Sequence, residues 1–290
     1  MDFLINLING LSLGGIYAMI ALGYTMVYGI AKMLNFAHGD IIMVGGYTIY
    51  VFLTMSGQPI LAIVMAVIIC VLLGITVEKV AYRPLRGASP LAVLITAIGV
   101  SYFLQSLAQM IFGSAQKFVV IAELGNVNIG PLKISIGTLI TLAVSVAVMI
   151  VLSLFIKFSK TGRAMVAVSE DRGAALLMGI DVNKIITITF AIGSALAAAA
   201  GVFYLLKSPA MFNTFGALPG IKAFTAAVIG GIGSIPGAMI GGILLGVIET
   251  LCQSVTVLSP YTDAIEFTIL IIILLIKPDG LLGKKKREKV

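Results

Sequence analysis

An all-α polytopic membrane protein is what this sequence predicts, with about seven or eight transmembrane helices and one further segment broken by Gly and Pro. Three observations carry the prediction. The 290 residues are 60% hydrophobic and only 11% charged, with a mean hydropathy of +1.14, whereas soluble globular chains carry about 25% charged residues. Runs of about 20 apolar residues recur along the whole length, each long enough to cross a hydrocarbon core as a helix; the short alternating strands of a membrane barrel are not the pattern. Finally, Lys and Arg are segregated. If the N-terminus is outside, the positions around 32, 79–86, 157–184 and 277–290 are cytoplasmic and hold 15 of the 19 basic residues, leaving Lys117, Lys133, Lys207 and Lys222 for the other face. The excess of cations on cytoplasmic loops therefore sets the N-terminus outside and the C-terminus cytoplasmic.

In chain order, residues 4–30 form a first span, with Gly10, Gly14 and Gly15 as a small-residue face for close helix contact. No basic region precedes it and no small-residue cleavage site closes it, so it does not read as a cleavable signal peptide. A second span follows Asn35-Phe-Ala-His38-Gly39-Asp40 and runs to about 55; Ser56-Gly57-Gln58-Pro59 is a tight uncharged turn. Residues 60–77 make the third span and 78–86 a basic loop. Residues 90–112 are the fourth span, followed by a polar loop carrying Lys117, Glu123 and Lys133 and interrupted by Gly125, Gly130 and Pro131. The fifth span is 137–156, the sixth 185–206. With residue 207 outside and the Lys284–Arg287 tail inside, an odd number of crossings must remain. One is 265–276 with its flanks, so 221–255 must enter and leave on the same side. Gly230-Gly231-Ile-Gly233-Ser234-Ile-Pro236-Gly237 then reads as a break at mid-membrane, tolerated where backbone is buried in protein or lines a cavity. The segment is either a re-entrant half-helix with a returning helix, whose Gly237, Gly241, Gly242 and Gly246 admit close neighbours, or two short spans of the same parity.

The stretch 157–184 is the one long segment built to stand in water, and it is longer than a connector requires. Ser169 is placed to start a helix, Glu170 and Asp171 lie in its first turn where carboxylates favour the positive end of the dipole, Arg172 follows, and Gly179 supplies the stop. Ala174, Ala175, Leu177 and Met178 form a small apolar surface. It is either a solvated helical turn or a docking site for a partner.

Asn35, His38 and Asp40 sit at the entrance of the second span, where ionisable groups are expensive. Asn35 and His38 share one helical face and Asp40 lies to the side. They either satisfy the start of a helix or border a translocation path. Glu249, the other intramembrane acid, either snorkels or lines that path. Gly- and Pro-broken segments in two halves point to such a path, here 35–46 and 230–242, with Gly230, Gly231, Gly233, Ser234, Pro236 and Gly237 the stronger candidate. Cys70 and Cys252 are isolated within apolar runs, so neither a disulfide framework nor a metal site is indicated. The net charge of +7 sits at membrane ends and in the tail rather than in a nucleic-acid-binding patch. There is no G-x-x-x-x-G-K-[ST], no H-E-x-x-H and no nucleophile elbow, and Gly231-x-Gly233-x-x-Pro236 lacks both the third glycine and the βαβ context of a nucleotide fingerprint. The chain is read as a non-enzyme with no catalytic residue.

Leu22-Gly-Tyr-Thr-Met-Val-Tyr-Gly-Ile30, Leu34-Asn-Phe-Ala-His-Gly-Asp40, Tyr82-Arg-Pro-Leu-Arg86, the stretch from Lys222 to Gly237 and Lys277-Pro-Asp-Gly-Leu-Leu-Gly283 resemble the permease subunits of bacterial branched-chain amino-acid ABC importers. Ala174-Ala175-x-x-x-Gly179 likewise resembles the cytoplasmic motif by which such permeases grip their ATPases, with Gly173 in place of the family's leading Glu. The resemblance implies a single permease domain, 1–290, in the bacterial plasma membrane. It implies a second homologous permease, two ATPase subunits that use ATP and Mg, and a periplasmic or lipid-anchored binding protein, with no cofactor on this chain itself. It implies alternating-access import of leucine, isoleucine or valine. Relatives carrying urea or short amides are similar in the same segments, and an ion-coupled secondary transporter is the more distant alternative.

Overall fold

Glycines that the sequence places on two separate helices meet each other. In the computed structural model, which describes residues 2–122, 124–129 and 132–283, α1 (Asp2–Ala31) and α10 (Ile235–Ser254) run antiparallel. A Cβ on Gly10 would stand 2.9 Å from the Val247 Cα, one on Gly14 2.7 Å from the Ile243 Cα, and ones on Gly242 and Gly246 would strike the backbones of Ala18 and Gly14. Without side chains at these positions the two backbones approach closely, and dispersion contacts replace a hydrophobic driving force that lipid does not supply. α1 is thereby the central post of the bundle, packed also on α5 (Ile136–Phe158), α8 (Val182–Lys207) and α9 (Ala217–Gly230).

Around it stand α2 (His38–Ser56), α3 (Pro59–Val77), α4 (Pro90–Phe112) and α11 (Thr262–Ile276). Among the described residues eight helices are long and apolar enough to cross a membrane; α9, with 14 residues, is shorter, about 21 Å at the helical rise. The fold is the all-α polytopic one expected. Among the described residues strand is confined to an Asn126–Ile129/Leu132–Ser135 hairpin (β2, β3) and a two-residue pairing of Lys117–Phe118 (β1) with Ala210–Met211 (β4), so the polar loop after α4 is partly ordered as sheet. Glu123, Gly130, Pro131 and the tail 284–290 lie outside the described residues.

Three expectations are corrected. The basic loop at 78–86 is a helical continuation of α3, a π turn over Glu78–Tyr82 and a 3-10 turn over Arg83–Leu85. It persists because its charge is compensated: fully buried Glu78 pairs with Arg86 and accepts from Thr187 Oγ1 at 2.7 Å. Second, the Gly and Pro break at 231–234 is not at mid-membrane. It lies beside Gly29 at the end of α1 and against Gly280 and Gly283 beyond the last span. Gly231 (φ 107) ends α9, Ser234 Oγ accepts from the Gly237 amide and Pro236 occupies the first turn of α10. Those are ordinary helix-stop and helix-start signals, and the segment is the short helix α9 followed by α10, long and apolar enough to cross, which is nearer the expected pair of spans than the re-entrant half-helix. Third, Lys222 is no loop residue: it is buried within α9 and drops out of the loop-charge tally.

Candidate functional site

The water-exposed stretch folds as two helices. Ser159 caps α6 (Lys160–Glu170) by accepting from the Gly162 amide at 2.8 Å, and Gly162, Met165 and Val168 turn inward. The second helix, α7 (Arg172–Leu177), is capped by Asp171, whose Oδ1 accepts from the Ala174 amide at 3.0 Å. The expected helix start at Ser169 is therefore incorrect. Ser169 closes the last turn of α6, its hydroxyl donating to the Val166 carbonyl, because an Asp two residues on offers an extended backbone and a better-placed acceptor. Glu170 is the last residue of α6.

Gly179, at φ 77, stops the segment: its amide donates to the Leu176 carbonyl and that of Ile180 to Ala175, a left-handed C-cap. The apolar surface differs from the expected one by one face. Ala175 is buried and Ala174 exposed, while Leu176, Leu177 and Met178 stand 64%, 90% and 81% exposed. Leu176 went unseen because a six-residue helix is too short to show a periodicity. Three large apolar side chains at the tip of a capped helix are a surface that water does not favour. We expect Asp171→Ala to cost about 1 kcal/mol of cap energy, read as an about fivefold faster proteolytic cut within 171–180; an unchanged rate counts against the cap.

The residues expected to border a path lie near one another beside α1, each held differently. Asn35 is not on the helix with His38: residues 32–37 are non-helical and α2 begins at His38. Asn35 Oδ1 accepts from the Tyr82 hydroxyl at 2.8 Å. His38 is fully buried, its ring 4.7 Å edge-on from Tyr24 and pressed against Gly23, with Phe224 of α9 and Phe36 completing an aromatic cluster. Nε2 of His38 faces the α1 backbone at Gly23. Asp40 accepts from Gln105 Nε2 of α4 at 2.8 Å. These groups are deep in the bundle because segment 32–37 folds back alongside α1. Gly230, Gly231, Gly233, Ser234, Pro236 and Gly237 form the α9–α10 connection and do not meet the Asn35–Asp40 group.

Glu249 neither snorkels nor stands alone. It is buried, accepting from Tyr17 Oη at 2.7 Å, Gln253 Nε2 at 3.1 Å and Lys222 Nζ at 2.9 Å. Lys222 also meets Asp263 at 2.7 Å and Glu266 at 3.2 Å, so one ammonium with three donors serves three carboxylates from two helices. This cluster joins α1, α9, α10 and α11. Sequence reasoning missed Lys222, Asp263 and Glu266; the available signal was a Lys inside an apolar helix, itself expensive without partners. Among the described residues no group of three or more His, Cys, Asp or Glu side chains is arranged to hold a metal ion.

A family model described as branched-chain amino acid transport system / permease component matches residues 6–274. The chain is 43% identical over 302 residues to the high-affinity branched-chain amino acid transport system permease protein BraD of Pseudomonas aeruginosa, spanning 99% of this chain and 98% of that protein. It is 41% identical over 306 residues to the corresponding protein LivH of Escherichia coli, with the same coverage. A probable branched-chain amino acid transport permease protein of Methanocaldococcus jannaschii is 29% identical over 283 residues, spanning 91% of this chain and 88% of that one.

Proposed function

The chain belongs to the branched-chain amino acid transport permease family, and from that premise we propose that it is the membrane-spanning subunit of an ATP-driven importer of leucine, isoleucine and valine in the bacterial plasma membrane. The observation that carries this reading is the near-full-length identity with high-affinity branched-chain permeases, 43% over 99% of the chain. Urea and short amides are not what the relatives' names describe. ATP and Mg act on partner ATPase subunits, a second permease completes the path, and an external binding protein supplies the substrate.

The ATPases dock on the tip of α7, where Leu176, Leu177 and Met178 are exposed. Ser169, Glu170, Asp171, Ala174, Ala175 and Gly179 shape and hold that tip. Closure of the ATPase pair displaces α7 and rocks the permeases between outward- and inward-open forms. The Asn35, His38 and Asp40 group, lying where α1, α2, α4 and α9 converge, is the part of the described site positioned to sense that rocking. Glu249 contributes by holding α10 to α1 through Tyr17 and to α9 through Lys222.

The test is capture of partners on the tagged chain from mild detergent, paired with uptake. ATPase subunits co-purify with the unaltered chain, and Leu177→Asp combined with Met178→Asp reduces their recovery at least about tenfold, as expected when about 1.4 kcal/mol or more of apolar contact is lost, while membrane insertion is unchanged. Leucine uptake stops when ATP is depleted and continues when proton and sodium gradients are collapsed. Uptake that survives blocked ATP turnover refutes the reading.

A further inference from the structure

α7 is tied to the transmembrane bundle by a side chain. Nη2 of Arg172 donates to the Ile30 carbonyl at 3.1 Å and to the Ala31 carbonyl. These are the last two residues of α1, whose final carbonyls have no intrahelical partners and carry the negative end of the helix dipole. A guanidinium is suited to that position, because its planar fork fixes the two N–H groups of Nη2 toward two acceptors, where an ammonium acts as a point charge.

What α1 carries makes the tie consequential. Immediately after Ala31 the chain turns through Lys32, which stands in the left-handed region at φ 53 and whose ammonium donates back to the Gly29 carbonyl. The next five residues bring Asn35 to the Tyr82 hydroxyl and His38 beneath Gly23. In the other direction α1 is a rigid 30-residue helix that packs along α10 and places Tyr17 on Glu249. A shift of the α1 end therefore moves the buried Asn35–His38 segment and the α1–α10 seam together, since close-packed elements have discrete arrangements and do not deform gradually.

We propose that Arg172 is the positioning residue that passes displacement of α7 to α1, acting as a strut between the docking surface and the buried Asn35–His38 segment and not as a contact for the ATPase. This rests on the reading of α7 as the docking helix. Arg172 faces the bundle, while Leu176, Leu177 and Met178 are the exposed side chains of the same helix, so the two roles are carried by different groups and separate experimentally.

The experiment uses the complete complex in proteoliposomes, with external binding protein and labelled leucine, comparing the unaltered chain with Arg172→Gln and Arg172→Lys. Arg172→Gln is expected to retain the ATPase subunits and to keep basal ATP hydrolysis within about twofold, while leucine imported per ATP hydrolysed falls at least about tenfold, equivalent to about 1.4 kcal/mol of lost coupling. Arg172→Lys, which keeps the charge at the helix end without the fork, is expected to fall between. If Arg172→Gln lowers extraction yield, the Arg172→Lys ratio carries the test.

Import per ATP equal to that of the unaltered chain in both variants overturns the strut. Loss of ATPase subunits in proportion to loss of import also overturns it, because Arg172 is then a contact. Retention of ATPases by Leu177→Asp with Met178→Asp instead refutes α7 as the docking helix, an outcome distinguishable from both.

Discussion

Lys222→Met is expected to destabilise the chain more than any other single substitution considered, by about 3–5 kcal/mol, the cost of breaking a buried ion pair from one side. The Lys222 ammonium lies 2.9 Å from Glu249, 2.7 Å from Asp263 and 3.2 Å from Glu266, and the Glu249 and Glu266 side chains are only 8% and 0% exposed. Met reproduces the stem's apolar volume but leaves those two carboxylates facing each other without a cation. Asp263 escapes most of the penalty because its side chain is 55% exposed. In detergent the unfolding midpoint should drop on the order of 10 °C. Pairing Lys222→Met with Glu266→Gln should recover part of the loss, since one buried charge is removed along with its partner. A midpoint within about 2 °C of the unaltered chain, less than about 1 kcal/mol, would show that the cluster is not holding α9 to α10 and α11.

Gly246→Leu is the second. A Cβ at Gly246 meets the backbone of Gly14, so no rotamer change relieves the contact and the two longest-packed helices must separate. Overpacking of this kind costs about 1–3 kcal/mol, and more where backbone must move; loss of the close α1–α10 seam adds to it. Gly99→Leu provides the comparison. Gly99 lies on α4 with open space around it, and leucine there removes a helix-interior glycine, worth up to about 1 kcal/mol in favour of the variant. Thermal stability of the two purified variants should therefore shift in opposite directions. Equal stability of Gly246→Leu and the unaltered chain refutes the seam.

The corrections share one cause. A Gly-Gly-Ile-Gly-Ser-Ile-Pro run supplies stop, cap and start whether it sits in mid-membrane or at the end of a bundle, and local signals do not encode depth. Ser169 and Asp171 are both acceptable caps, and which one serves depends on where α6 ends, which in turn follows from Met165 and Val168 packing inward. Lys222 looked like a loop cation because its partners Glu249, Asp263 and Glu266 lie 27 to 44 positions further along the chain.

By itself the sequence determined the membrane class, the first six spans and the last, the small-residue faces of α1 and α10, the Gly179 stop and the family, because hydropathy, glycine spacing and motif identity are properties of contiguous residues. Only the tertiary structure decided that Gly14 meets Gly246, that one ammonium neutralises carboxylates from two other helices, and that Arg172 reaches the end of α1. Those are pairings between distant segments, and within lipid it is close packing and polar satisfaction, not hydrophobicity, that selects them.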